Sequence, residues 1–168
     1  MPLALRLQLM YSVVLMLDII TCILGTFGFS IILKVSKSKI IYTVLGGTIS
    51  AVISVLLLKN GKGIFSATFY AMIAITAYSE IMARIIKTPA CVILMPSTVP
   101  LLPGGSLYYT MSYLIAKDYK NFLIYGKETI LTGFGIAFGA VIVSILSIFI
   151  NKTAAFIKTK KQAKPASK

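Results

Sequence analysis

Pro96-Ser-Thr-Val-Pro-Leu-Leu-Pro-Gly-Gly-Ser106 is where the residue types and spacing of this sequence bear most directly on chemistry. Pro96, Pro100 and Pro103 each lack an N–H and crowd the preceding turn, so no continuous α-helix is expected through all three. The stretch nevertheless lies inside an apolar run, Ala90 to Ala116, long enough to cross a bilayer. Unwound backbone at membrane depth is tolerated only where protein surrounds it or where it lines a wet cavity. Many secondary transporters build their substrate sites from such discontinuous helices. After Pro103, the residues Gly104, Gly105 and Ser106 read as a helix start leading into Leu107-Tyr-Tyr-Thr-Met-Ser-Tyr113. Unpaired N–H groups and the positive dipole end would favour a carboxylate or another anion there. Hydroxyls of Ser97, Thr98, Ser106 and Tyr108 can add contacts. The candidate substrate-contacting set is therefore Pro96, Ser97, Thr98, Pro100, Pro103, Gly104, Gly105, Ser106 and Tyr108. A proline-kinked helix, or a loop at one membrane surface, is the competing reading.

Three ionisable residues stand inside apolar runs. Asp18 lies near the middle of the first, where a charge costs about 2.5–3.5 kcal/mol on insertion scales. It reads either as a proton carrier or partner of a basic group, or as a protonated side chain bonded to a neighbouring helix. Glu80 and Arg84 are spaced i,i+4 in the favourable order and are expected to pair on one helix face, with Arg84 able to snorkel outward. The sharper alternative is that Asp18 or Glu80 changes protonation during a transport cycle.

Enzymatic chemistry has little to work with. The chain has no histidine to act as a base, and Cys22 and Cys91 have no basic neighbour in sequence to activate them. A Cys/His metal site is excluded by count, and no cofactor is implied.

The elements that must position these residues are membrane spans. Of 168 residues, 58% are apolar and 12% charged, against about 25% charged in soluble domains, and the mean hydropathy is +0.93. The apolar residues fall in runs at Leu7–Leu33, Ile40–Leu58, Ile64–Ile86, Ala90–Ala116 and Thr129–Ile150, separated by short lysine-bearing turns. The first is too long for a signal peptide and is read as a retained helix. The fold class expected is an all-α polytopic integral membrane protein of about five transmembrane segments, the fourth broken by prolines and glycines. Residues 1–151 form the transmembrane domain and 152–168 a lysine-rich tail. Gly135-x-x-x-Gly139, with Gly25, Gly28, Gly46 and Gly47, offers close helix approach.

A net charge of +13 on a soluble protein would suggest nucleic acid. Here the basic residues sit at the ends of apolar runs, so they are read as orientation signals and lipid contacts, with no nucleic-acid partner. Five crossings give one set of segments eleven Lys+Arg and the other six. The positive-inside rule then predicts the amino terminus outside and the carboxy terminus and tail inside the cell membrane. A re-entrant fourth segment would leave four crossings and break this alternation.

Ala83-Arg84, Pro89 and Pro96-x-x-x-Pro100-Leu-Leu-Pro103-Gly104 with Tyr108 carry a resemblance, to which Gly25-x-x-Gly28-Phe29 adds a weaker match. Over most of residues 10–150 the chain resembles the threonine/serine exporter family, in particular its carboxy-terminal half. That half also occurs as a separate small membrane protein beside a larger partner subunit. Ser97 stands where the family often has glycine, and the lysine-rich tail is outside the pattern. The resemblance implies export of threonine, serine or, in the split form, small dicarboxylates, by a chain that is half of a transporter. A homo-oligomer is left open, and a structural or assembly protein without transport of its own is the alternative function.

Overall fold

Apolar runs that must satisfy their own backbone groups in lipid fold as helices. The computed structural model describes the backbone of residues 3–162 and the side chains of residues 16–150 and Lys152. Within that range the chain forms α1 (Leu3–Ile32), α2 (Lys37–Lys59), α3 (Ile64–Ile86), α4 (Ala90–Thr98), a 3-10 turn (Val99–Leu101), α5 (Gly104–Ile115) and α6 (Tyr119–Gln162). No strand occurs among the described residues. Arg6, the apolar side chains of 7–15 and the lysines Lys158 to Lys168 lie outside the described side chains.

The turns end their helices in one way. Lys34 (φ 53°), Gly61 (φ 71°), Lys87 (φ 53°) and Lys117 (φ 59°) adopt the left-handed conformation. The residue after each donates its N–H back five positions: Val35 to Ser30, Lys62 to Leu57, Thr88 to Ala83 and Asp118 to Tyr113, at 2.9–3.1 Å. These bonds satisfy orphan carbonyls at the helix ends. Lysine in that conformation costs on the order of 1 kcal/mol. It also brings a cation to the negative end of the helix dipole and to the edge of the apolar layer.

Side-chain contacts give the register. Thr26 of α1 faces Gly47 of α2, and Ser30 bonds Thr43, so the two helices are antiparallel. Gly135 of α6 lies against Phe65 and Thr68 of α3, Gly139 against Phe69 and Met72, and Ser147 bonds Glu80 and Arg84. Both series ascend together, so α3 and α6 run parallel. A Cβ on Gly139 would sit 2.7 Å from that of Met72, and one on Gly135 would sit 3.0 Å from the Phe65 carbonyl oxygen. The Gly-x-x-x-Gly pair thus acts as the close-approach surface expected of it. Gly25 and Gly28 have no neighbour within 4 Å of an added Cβ and play no such part in this chain. One buried cluster holds Ala71, Met72, Ile75 and Leu101, with Ile53, Leu94, Ile136 and Ala140 against it, and Ile93 is buried as well. Large apolar side chains elsewhere point outward, as the lipid face of a membrane protein requires.

By length and composition, three described helices can cross a membrane: α2, α3 and the Tyr119–Ile150 part of α6. There are four if Ala90–Leu101 and Gly104–Ile115, bent by 54°, form one span. In α1 the described apolar part is Met16–Ile32, 17 residues. Two differences from the sequence reading stand out. Helix α6 begins at Tyr119, ten residues before the apolar run, because Asp118 caps it through the Asn121 N–H at 3.3 Å. Its 44 residues reach about 66 Å. The break near Pro103 is also shorter than expected: Pro96, Ser97 and Thr98 are helical, and only Leu102 and Pro103 lie outside any helix.

Candidate substrate path at the interrupted segment

The prolines set the local structure by removing donors. Pro100 leaves the Pro96 carbonyl without its i+4 partner, and Pro103 does the same to Val99. The chain tightens to reach them: Val99 N–H bonds Pro96 O, and Leu102 N–H bonds Val99 O at 3.2 Å. The Ser97 carbonyl takes a bond from Ser50 Oγ of α2 at 3.2 Å. Borrowed hydroxyls of this kind are how a membrane interior accommodates a broken helix.

That bond belongs to a seam of buried hydroxyls joining α1, α2 and α4. Ser97 Oγ donates to Thr43 O at 2.9 Å, Ser30 and Thr43 share a bond of 2.8 Å, and Ser30 Oγ also reaches Thr26 O at 2.7 Å. Tyr78 of α3 donates to Tyr42 O at 3.0 Å. Gly46 makes room, since a Cβ there would meet Ser97 Oγ at 2.5 Å. Ser97 and Pro96 are both fully buried, and Thr98 Oγ1 is turned back onto Leu94 O at 2.7 Å. The Ser97 and Thr98 hydroxyls, read from sequence as substrate contacts, are thus held by protein in this conformation. Gly46 was read from sequence as a close-approach residue without its partner, and Ser50 and Thr43 were missed because each reads as an ordinary small residue on an apolar helix.

Pro103 opens onto a different environment. Gly104 and Gly105 are exposed, with nothing within 4 Å of an added Cβ, and Tyr108 is exposed on the outer side of α5. Ser106 turns inward and donates to Glu128 Oε2 at 3.4 Å, and Thr110 meets Thr129 at 3.4 Å. Tyr109, Tyr113 and Tyr125 pack together below, with ring centroids 5.3–6.3 Å apart, fastening α5 to α6. A concavity of 160 Å³ beside Pro96 is lined by Leu33, Val35, Cys91, Val92 and Met95. A groove of 740 Å³ between α1 and α2, lined mostly by apolar residues from Phe27 to Val44, lies nearer the Lys37 end. Both are apolar surfaces suited to lipid or protein rather than to a polar solute.

Glu80 and Arg84 stand together, 4.0 Å apart, and Ser147 of α6 bridges them: it donates to Glu80 Oε2 at 2.6 Å and accepts from Arg84 Nη2 at 3.0 Å. The pair therefore ties α3 to α6 as well as to itself. Asp18 is apart from both clusters and exposed on α1. Since Thr26 faces Gly47 and Ser30 faces Thr43, the same register brings Asp18 level with Val55, about one turn inside Lys59. Measured against α2, it is near that helix's carboxy-terminal end rather than its middle.

A family profile described as threonine/serine exporter, ThrE, matches residues 18–146. The chain belongs to the threonine/serine exporter family. The match runs from Asp18 through the interrupted segment to the Gly135/Gly139 contact, and leaves out the lysine-rich end. No curated protein and no solved structure matched the chain. Family and apolar helices together make this a multi-pass membrane protein of an exporter family, and the family is one of transporters rather than enzymes.

Proposed function

We propose that this exporter-family chain is the small, carboxy-terminal-half subunit of a threonine/serine exporter. It has five crossings, amino terminus outside and carboxy terminus inside the cell membrane. It works beside a larger partner subunit, and within segment 96–106 the exposed part from Leu102 onward lines the substrate path. The observation that carries this reading is the parallel packing of α3 and α6. Helix α3 ends at Lys87, so α6 can run parallel to it only if the chain has returned to the opposite side in between. The stretch from Ala90 to Pro103 supplies the return: nine α-helical residues, a 3-10 turn and extended Leu102, before the tight turn at Pro103, reach about 23 Å. That covers most of a hydrocarbon layer of about 30 Å. A re-entrant loop would leave α3 and α6 antiparallel.

The chemistry of the segment fits a small zwitterion better than an apolar solute. The Val99 carbonyl, bonded by the Leu102 N–H alone, keeps a lone pair as an acceptor, and the start of α5 offers N–H donors to a carboxylate. A dicarboxylate would use the second feature but not the first. For coupling, Asp18 or Glu80 is the proton carrier: Asp18 has no hydrogen-bond partner for its carboxylate among the described residues, and Glu80 is already poised between a hydroxyl and a guanidinium.

The test is efflux of labelled threonine from proteoliposomes holding the full chain with and without its partner subunit. Export that needs both chains supports the reading. Export with the partner alone would instead make this chain an assembly protein. Asp18→Asn and Glu80→Gln assayed under a pH gradient test the coupling, which is lost from the account if both leave gradient-driven efflux intact.

A further inference from the structure

An amino acid brings an α-ammonium as well as a carboxylate, and a site for it must answer both charges. The chain has four acidic residues. Glu80 is held by Ser147 and Arg84. Asp118 caps α6 and accepts from Asn121 Nδ2 at 2.7 Å. Asp18 is on α1, which does not carry the break. Glu128 remains, half-buried on α6 beside the end of the interrupted segment.

Its surroundings are polar and slack. The bond from Ser106 Oγ is 3.4 Å, well beyond the 2.5–3.0 Å of a firm O–H···O contact. No cation pairs with Glu128 among the described residues, although Lys127 precedes it. Lys127 lines a concavity with Leu123, Gly126 and Ile130. Thr110 and Thr129 meet at 3.4 Å nearby. In register with α3, whose start at Ile64 is level with about Leu131 of α6, Glu128 stands about one turn beyond the Lys59–Gly63 edge. That is the mouth where the crossing from Ala90 ends. Lys117, Lys120 and Lys127 are also on this side, and the Asp118 carboxylate there is taken by Asn121, so Glu128 is left as the group that favours a cation.

We propose that Glu128 reads the α-ammonium of the transported amino acid, in an amine subsite completed by the hydroxyls of Ser106 and of Thr110 or Thr129. An ammonium carries three donors, and one carboxylate oxygen with two hydroxyl oxygens can accept all three. A half-buried carboxylate held only by a long hydroxyl bond gains most from a charged donor. The proposal rests on the exporter reading and deepens it by naming the group that separates amino acids from acids without an amine.

The experiment uses the full chain with its partner subunit in proteoliposomes. It reads competition against labelled threonine by unlabelled threonine and by 2,3-dihydroxybutyrate, which keeps the carboxylate and side-chain hydroxyl but replaces the ammonium with a hydroxyl. Wild type should prefer threonine by about tenfold or more, the scale of one charge-assisted hydrogen bond. In Glu128→Gln the preference should collapse toward one, and Glu128→Asp should keep part of it. The ratio of the two affinities does not depend on protein yield, so a merely structural role would not move it. A ratio unchanged in Glu128→Gln overturns the subsite while threonine export continues. Wild-type protein that moves no threonine overturns the exporter reading and the subsite together.

Discussion

Gly46 and Ser97 show how closely one residue's size is tied to its neighbour's. The glycine exists to admit a side chain that begins on another helix, since an added Cβ would approach Ser97 Oγ at 2.5 Å and Tyr78 Cε1 at 3.1 Å. Gly46→Ala should therefore lower stability by about 1–3 kcal/mol, the usual cost of overpacking. Ser97→Gly alone removes one hydrogen bond and should cost about 1 kcal/mol. Combined, the two changes relieve the clash, so the double variant should be more stable than the sum of the singles. Thermal unfolding of the purified protein in detergent checks this, and strict additivity would mean that the two side chains do not meet. The sequence exposed the proline spacing at once, because proline acts through its own missing donor. It could not expose this pair, since a glycine's role depends on which helix lies across from it.

At the scale of elements, α4 and the 3-10 turn lead into α5 through a bend of 54°. Pro100→Ala and Pro103→Ala would return N–H donors to Pro96 O and Val99 O, favouring a regular helix through the break. The protein should remain folded. Threonine export should lose about fivefold in apparent affinity, if one contact of roughly 1 kcal/mol to the Val99 carbonyl is withdrawn from the path. Full transport by the double variant would remove any role for the break. Boundaries of this element were the least legible part of the sequence. Pro96 was read as the start of the unwound stretch, yet it is accommodated within α4, where Pro96 and Ser97 are packed tightly enough to be fully buried. The helix fails only where two prolines three residues apart remove successive donors. The tyrosines of α5 and α6, spaced for contact across the hairpin at 109, 113 and 125, could be seen in sequence only as an aromatic-rich run.

For the whole molecule, the proposed topology has the chain change sides between Lys87 and Lys117, in keeping with the parallel packing of α3 and α6. Single cysteines at Lys62 and Lys117, placed in a background lacking Cys22 and Cys91, should react with an impermeant thiol reagent from outside intact cells. Cysteines at Ser38 and Lys87 should react only after the membrane is opened. Lys117 and Lys87 labelling from the same side would mean a re-entrant fourth segment and four crossings. The spans at α2, α3 and the apolar part of α6 were legible because lipid tolerates few charges within a helix, so run lengths and lysine positions mark them directly. Which helices pack together was not legible, because small residues line several faces and only some of them, Gly135 and Gly139 but not Gly25 and Gly28, meet another helix.

Contact between solute and the interrupted crossing is most directly tested at Gly104, where an added side chain meets no atom within 4 Å. In the full transporter, Gly104→Cys should react with an impermeant thiol reagent from the outside, and saturating threonine should slow that reaction while leucine leaves it unchanged. A cysteine that never reacts, or reacts at the same rate with and without threonine, would contradict the account.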